Sequence, residues 1–188
     1  MTGNPQRAIY WDTCIFLAWL KDEHRYDPLD LQGIQAHVES LNRGQIQIVT
    51  STLTLVEVLQ STLDEGQSEE FSRLFRRQDC HLIPVSIPIA RIASEIRNHY
   101  KERAEVDELL TVSTPDAIHL ATAIWFPGCS ELYTFDEVNK KGRPRALIPL
   151  SGTVAAQYPL VIAKPTPGQL ALSMTTPATG DDDQDRTS

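Results

Sequence analysis

The sequence has few cysteines and none of the cysteine spacings that build a disulfide framework or a zinc site. Its 188 residues include three cysteines, Cys14, Cys80 and Cys129, and no two of them form a CxxC pair. A scattered, odd set of this kind is typical of reduced thiols in the cytoplasm. We therefore expect a cytoplasmic protein without a disulfide framework or a cysteine-ligated zinc ion.

Long apolar segments are also missing. The longest apolar run, from Ile15 to Leu20, is far too short to span a bilayer. The first residues lack the apolar stretch of a signal peptide. The sequence thus predicts no membrane association, and its length is sufficient for one domain with a sizeable core.

An excess of positive charge is absent. The chain has 17 lysines and arginines against 25 aspartates and glutamates, which gives a formal net charge of −8. This balance argues against a protein that holds nucleic acid by bulk positive charge. It is compatible with an enzyme whose carboxylates surround cations while its basic residues are grouped elsewhere.

The motifs of several enzymes that handle phosphate groups are absent as well. Neither GxxxxGK[ST] nor GxGxxG occurs, so nucleotide-binding loops are not indicated. Asp12 is followed by Thr13 and Cys14, which excludes the D-x-D pair of dehalogenase-type phosphatases. Neither Cys14 nor Cys80 is followed by arginine at the C-x₅-R spacing, which excludes a cysteine phosphatase.

Predicted strands alternate with predicted helices along the chain. The strands are expected at 8–11, 45–50, 82–85, 131–134, 146–150 and 158–163, with helices between most of them. This alternation predicts an α/β protein, a three-layer α/β/α fold with a central, mainly parallel sheet. Residues 1–163 would form one domain. Residues 164–188 are rich in Pro, Thr, Gly and Asp, a composition that predicts a disordered tail.

Four acidic residues lie where parallel strands end or where the following helices begin. Asp12 and Asp136 each follow a predicted strand, Glu57 lies in the helix after the second strand, and Asp116 lies in the first turn of a helix. Ligands of such sheets bind at the carboxyl ends of the strands. Clustered, partly buried carboxylates raise one another's pKa values, and a divalent cation removes that cost. Sites made only of oxygen ligands suit Mg²⁺ or Mn²⁺.

Each acid taken alone has a simpler interpretation. Glu57 lies away from the apolar stripe that includes Leu55 and Leu59, which is typical of a solvated surface residue. Asp116 suits the positive end of a helix dipole, although it shares a helix face with apolar residues. Asp136 and Asp12 are also compatible with ordinary turns. The coincidence of four acids at comparable positions is what favours a metal site.

Four segments in order resemble the PIN domain, the nuclease fold of VapC-type toxins. They are DTCIF at 12–16, STLTLVE at 51–57, TPDAIHLATAIW at 114–125 and LYTFDE at 132–137, and the resemblance extends over 8–163. It implies a metal-dependent endoribonuclease whose catalytic and metal-binding residues are Asp12, Glu57, Asp116 and Asp136. It implies supporting roles for Thr13, Ser51 and Thr134, and Mg²⁺ or Mn²⁺ as the cofactor. Cys14 stands where the family often has Asn or Ser.

The resemblance also implies partners. A VapC-type protein would be the toxin of a type II toxin–antitoxin pair, bind RNA as substrate and a small antitoxin, and form a homodimer. Two alternatives remain open: a PIN-type module that binds RNA or protein without cutting, and a PIN nuclease of RNA processing with no antitoxin. The intact set of four acids argues against the first.

Basic residues are needed to contact RNA phosphates. Four of them follow Asp136 closely and are the first choice: Lys140, Lys141, Arg143 and Arg145. His119, three residues after Asp116, is the only histidine that the sequence places near the acids. For this residue, a structural role within its helix is the simpler interpretation.

Overall fold

Six strands form the central sheet in the computed structural model of the protein, which describes residues 6–21, 26–104, 112–137 and 146–167. Strands and helices alternate along the chain as the sequence predicts. In chain order the elements are β1 (Arg7–Trp11), α1 (Thr13–Lys21), α2 (Pro28–Asn42), β2 (Ile46–Ser51), α3 (Thr52–Leu59), α4 (Glu65–Leu74), β3 (Cys80–Ile83), α5 (Ile87–Ala104), α6 (Thr114–Trp125), β4 (Cys129–Tyr133), a 3₁₀ helix (Ile148–Leu150), β5 (Gly152–Val154) and β6 (Tyr158–Ala163).

The strand order is β3-β2-β1-β4-β6-β5, and every neighbouring pair is parallel except the antiparallel β5 and β6. Successive residues of β1 point to opposite faces. Ile9 and Trp11 pack into a core with α1 to α4, whereas Ala8 and Tyr10 pack into a second core with α5 and α6. The predicted three-layer α/β/α fold, with a mainly parallel sheet between two helical layers, is confirmed.

Side-chain caps fix where the site-bearing helices begin. The Ser51 hydroxyl accepts a hydrogen bond from the amide of Leu53 and starts α3 directly at the end of β2. Helix α6 is capped by Ser113 in a capping box with Asp116, and Thr114 is already its first residue. Helix α4 begins after the capping residue Asp64, and Gly66 lies in its first turn.

The C-terminal part of the fold differs from the predicted pattern. The predicted strand at 146–150 is wrong, since Ile148–Leu150 is a 3₁₀ helix. Pro149 lies inside it, and a proline cannot donate the backbone hydrogen bond that a strand needs. Strand β6 has the predicted bounds, 158–163, and it pairs with β4 on one side and with the short β5 on the other.

The chain continues to pack on the domain after β6. Lys164 lies 3.7 Å from the buried carboxylate of Asp30 in α2 and also pairs with Glu137. Pro165 is buried, and its carbonyl oxygen lies so close to Gly33 of α2 that a Cβ there would come within 1.1 Å of it. The contacts of the domain therefore extend past Ala163. No helix in the described ranges is long and apolar enough to cross a membrane.

Candidate active site

The site lies at the carboxyl edge of the sheet, where β1 and β4 end side by side. Asp12 is the first residue after β1, and Thr134 and Asp136 follow β4, its parallel neighbour. The Asp12 amide donates a hydrogen bond to the carbonyl of Tyr133 (3.1 Å), which locks the two strand exits together. The predicted meeting of acids from separate strands at one edge thus has a direct basis in the sheet register.

Asp12 is held by donors on both of its oxygens. Its Oδ1 accepts from the amide of Thr13 (2.7 Å), and its Oδ2 accepts from the hydroxyl of Thr134 (2.7 Å). Thr134 in turn accepts from the amide of Asp136 (3.1 Å). A single buried hydroxyl therefore joins the exits of both strands and fixes the carboxylate of Asp12.

Glu57 reaches the same place from α3. Its Oε2 accepts hydrogen bonds from the Thr13 hydroxyl and from Nε2 of His119 (3.1 Å). Burial disfavours its charge, but these two donors outweigh burial and hold the pKa of Glu57 below its ordinary value. The simpler interpretation of Glu57 as a solvated surface residue is wrong: Val56 and Leu59, beside it on α3, are the exposed residues, at 51% and 60%.

Asp116 and Asp136 complete the group of acids. Burial, the charge of Asp116 and the more weakly acting charge of Asp12 raise the pKa of Asp136 to about 6, although the amide of Leu147 donates to its Oδ2 (3.1 Å). Asp116 accepts from the hydroxyl and the amide of Ser113 within the capping box. Asp12, Asp116 and Asp136, from three separate segments, are thus close enough for the first two to raise the pKa of the third.

A family model for the PIN domain matches residues 9–139 of this sequence. The chain belongs to the PIN domain family. PIN domains are generally nucleases. Among solved structures, the PIN domain described here is similar to a structure described as VapBC2 from Rickettsia felis bound to a DNA fragment from their promoter. The two share 16% identity and a TM-score of 0.52, with 82% of this chain and 96% of that chain covered. A search of curated proteins finds no match.

The donor chemistry of this PIN domain fits a divalent cation, as is general for the family. Asp12, Glu57, Asp116 and Asp136 offer only oxygen ligands. Burial and the charges of Asp116 and Asp12 raise the pKa of Asp136, and a cation would offset both effects. Their side chains are not gathered as a finished coordination shell. In the described ranges, no three His, Cys, Asp or Glu side chains converge closely enough to hold an ion. Asp116, turned toward Ser113, is the clearest case of an acid engaged elsewhere.

The predicted supporting residues divide into two kinds. Thr13 and Thr134 contact the acids directly, through Glu57 and Asp12 respectively. Ser51 is fully buried and supports the acids indirectly, because its hydroxyl caps the helix that carries Glu57. The four basic residues expected to contact phosphate, Lys140, Lys141, Arg143 and Arg145, lie outside the described residues.

Cys14 contacts both Asp12 and the residues that follow β4. Its sulfur lies 3.4 Å from Oδ2 of Asp12 and 3.4 Å from the Thr134 hydroxyl, and it accepts from the amide of Phe135 (3.2 Å). Burial and the charge of Asp12 raise the pKa of this thiol well above its ordinary value. Cys14 is therefore a neutral thiol that supports the exit of β4.

His119 is the site residue whose role the sequence did not reveal. Its side chain is buried, it donates to Glu57, and its Nε2 lies 3.7 Å from Oδ1 of Asp12. The interpretation of His119 as a structural residue of its helix leaves out these contacts, since its ring touches one acid and faces another. The only sequence signal was its position one helical turn after Asp116, which places both on one face of α6.

Substituting Asp136 with asparagine should stabilise the metal-free protein at pH 7 by about 1–2 kcal/mol. The folded state raises the pKa of this carboxyl from 3.8 to about 6, so it binds the proton more tightly than the unfolded chain does. Its contribution to stability therefore falls as the pH rises from about 4 to 6, and the loss is complete above 6. Each unit of pKa difference corresponds to about 1.4 kcal/mol, so this shift corresponds to about 3 kcal/mol. Because Asp136 is only partly buried, solvent screening reduces the expected gain to about 1–2 kcal/mol.

Urea unfolding in EDTA at pH 7 and at pH 4 measures this effect. We expect the difference between wild type and Asp136→Asn to be present at pH 7 and mostly lost at pH 4, where the folded carboxyl is protonated and the unfolded one, with a pKa of 3.8, is about half protonated. An equal difference at both values would show that the gain comes from packing and not from charge repulsion.

Proposed function

We propose that this PIN domain is a metal-dependent endoribonuclease that uses Mg²⁺ or Mn²⁺. The observation that supports this most strongly is the coupling of Asp136 to Asp116 and Asp12 across separate segments of the fold. Such a group of acids is unfavourable in a protein without cations and useful in one that binds them. The domain in this proposal comprises residues 1–163, with 164–188 as an appended tail.

The four acids would hold the cation, and the supporting residues would keep them in place. Thr13 and Thr134 orient Asp12, and Thr13 also orients Glu57. Cation binding would lower the pKa of Asp136, because the positive charge offsets the burial and the charge repulsion that raise it. Divalent cations supply a water of lowered pKa and neutralise charge on the transferring phosphate. Lys140, Lys141, Arg143 and Arg145 are proposed to bind the RNA backbone.

Cleavage of RNA by the purified protein tests the proposal. With Mn²⁺ or Mg²⁺ we expect endonucleolytic products that carry 5′-phosphate and 3′-hydroxyl ends, no cleavage in EDTA, and recovery when excess Mn²⁺ is added. The double variant Asp12→Asn plus Asp116→Asn, prepared identically, controls for contaminating ribonucleases. Cleavage that persists in EDTA or in the double variant would overturn the metal-dependent mechanism.

We further propose that the protein is the toxin of a toxin–antitoxin pair, forms a homodimer and acts in the cytoplasm. The solved structure to which it is similar is of VapBC2. A groove of about 330 Å³ between α1, α2 and α4 offers a surface for a small protein partner. Trp19, Val38 and Leu41 provide apolar lining, and Arg73 and Arg77 lie at the same groove.

Growth of cells that express the protein tests the toxin role. Expression of the wild type should arrest growth, expression of the double variant should not, and co-expression of a short DNA-binding protein encoded next to it should restore growth. If the wild type cleaves RNA in vitro but its expression does not harm cells, the toxin role is rejected. The alternative of a PIN nuclease of RNA processing then stands. Light scattering of the purified protein measures its molar mass and so tests whether it is a dimer.

A further inference from the structure

His119 lies between a buried tyrosine and the acids. On one side its Nδ1 is 2.7 Å from the hydroxyl of Tyr10, and on the other its Nε2 is 3.1 Å from Oε2 of Glu57. The Tyr10 hydroxyl also accepts a hydrogen bond from the amide of Ser51 (3.0 Å). Tyr10 and His119 are 0% and 2% exposed, so these contacts are shielded from water.

For a neutral imidazole, the partners fix the direction of each hydrogen bond. The amide of Ser51 can only donate, so the Tyr10 oxygen accepts there and its own proton is free for Nδ1 of His119. The carboxylate of Glu57 can only accept, so Nε2 must carry a proton. The chain of donors therefore runs from Ser51 through Tyr10 and His119 to Glu57, and the last bond is the same for neutral and protonated imidazole.

The side chain of Glu57 needs this support because its own helix does little to fix its conformation. Helix α3 has eight residues, and on either side of Glu57 along this helix Val56 and Leu59 are exposed. A glutamate side chain has several rotatable bonds and, in water, samples many conformers. His119, rooted in the buried face of α6, holds Oε2 of Glu57 on the side of Asp12, because the same Nε2 lies 3.7 Å from Oδ1 of Asp12.

We propose that His119, oriented by Tyr10, is a positioning residue that holds Glu57 beside Asp12 in readiness for a divalent cation. The proposal rests on the proposed metal-dependent function. It assigns the cation ligands to the carboxylates alone and gives the imidazole the role of orienting one of them. Groups that orient metal ligands through hydrogen bonds typically change metal affinity by about 10- to 100-fold when removed.

Binding of Mn²⁺, measured by electron paramagnetic resonance without RNA, tests the proposal in the full chain. His119→Leu should weaken Mn²⁺ binding by about 10- to 100-fold. His119→Gln should recover most of the affinity, because its side-chain amide places an N–H donor near the position of Nε2. Tyr10→Phe keeps the ring in the core and removes the proton that orients His119, so we expect a severalfold loss.

The matched control is His37→Leu. His37 is 1% exposed, and it accepts a hydrogen bond from Nε1 of Trp11 (3.2 Å) in the core on the opposite face of the sheet. This variant should lose stability but keep its Mn²⁺ affinity within about twofold. If His119→Leu does not fold, Tyr10→Phe and His119→Gln decide the outcome by the same measurement.

Nitrogen-15 NMR of the metal-free protein provides a second readout, independent of cation binding. In the wild type we expect Nε2 of His119 to carry a proton. In Tyr10→Phe we expect the imidazole ring to lose its single orientation. Wild-type Mn²⁺ binding that both His119→Leu and Tyr10→Phe leave unchanged would overturn the role of His119 alone. Absence of Mn²⁺ binding by the wild type would instead overturn the metal-dependent function on which this role rests.

Discussion

Substituting Asp12 with asparagine should lower RNA cleavage by at least about a hundredfold while the protein stays folded. The amide oxygen can still accept from the backbone of Thr13, and the hydroxyl of Thr134 can reverse to accept from the new amino group. What disappears is the negative charge at the centre of the acids. A bound cation contributes several kcal/mol to such reactions, and losing about 3 kcal/mol lowers the rate about a hundredfold.

Initial cleavage rates at saturating Mn²⁺, together with urea unfolding in EDTA, separate the two effects. Glu69→Gln is the matched control: it makes the same change from acid to amide at an exposed position of α4, where Glu69 pairs with Arg73. We expect it to cleave like the wild type. If Asp12→Asn cleaves RNA at the wild-type rate, Asp12 is not one of the catalytic residues.

Gly33→Ala should destabilise the protein by about 2–3 kcal/mol, although the same change within a helix ordinarily stabilises by up to about 1 kcal/mol. The new methyl group would lie 1.1 Å from the carbonyl oxygen of Pro165, so the backbone there must move. Overpacking of a close contact costs about 1–3 kcal/mol. Displacement of this segment would also pull Lys164 from the buried Asp30, whose pKa burial already raises.

Gly66→Ala is the control for this prediction, measured by the same urea titration. Gly66 is an exposed glycine of α4, and the contact that a Cβ there would make is with Oδ1 of the capping residue Asp64 at 3.3 Å, which a shift of a few tenths of an ångström relieves. We expect no loss of stability at this position. Equal effects of the two substitutions would mean that Pro165 does not press on α2 in solution.

The positions of the acids were predictable because the topology alone carries them to one edge. Asp12 and Asp136 follow strands of a parallel sheet, and that rule needs no knowledge of side-chain packing. The face of α3 was not predictable in this way. Its apolar residues suggested that Leu55, Val56 and Leu59 point inward, yet Thr54 and Val58 are the buried ones. The Thr54 hydroxyl pairs with Thr50 at 2.7 Å, a polar contact that hydrophobic periodicity cannot register.

The role of His119 was hidden for a related reason. Its partner Tyr10 is 109 residues away in sequence, and the hydrogen bond between them exists only because β1 lies under α6. The packing of Pro165 on Gly33 is equally remote, and nothing in the composition of residues 164–167 indicates it. Local patterns thus located the acids, whereas the contacts that hold two of them in place depend on which elements the fold brings together.

The position of β6 determines when the site can be completed during synthesis. This last strand lies between β4 and β5, and the amide of Thr134 donates to the carbonyl of Ala163 (3.0 Å). Until the ribosome has released residues 158–163, β4 is an edge strand and Thr134 lacks one of its anchors. A nascent or truncated chain would carry all four acids without the arrangement that holds them. The order of translation therefore delays the completion of the edge that carries the acids until β6 has been synthesised.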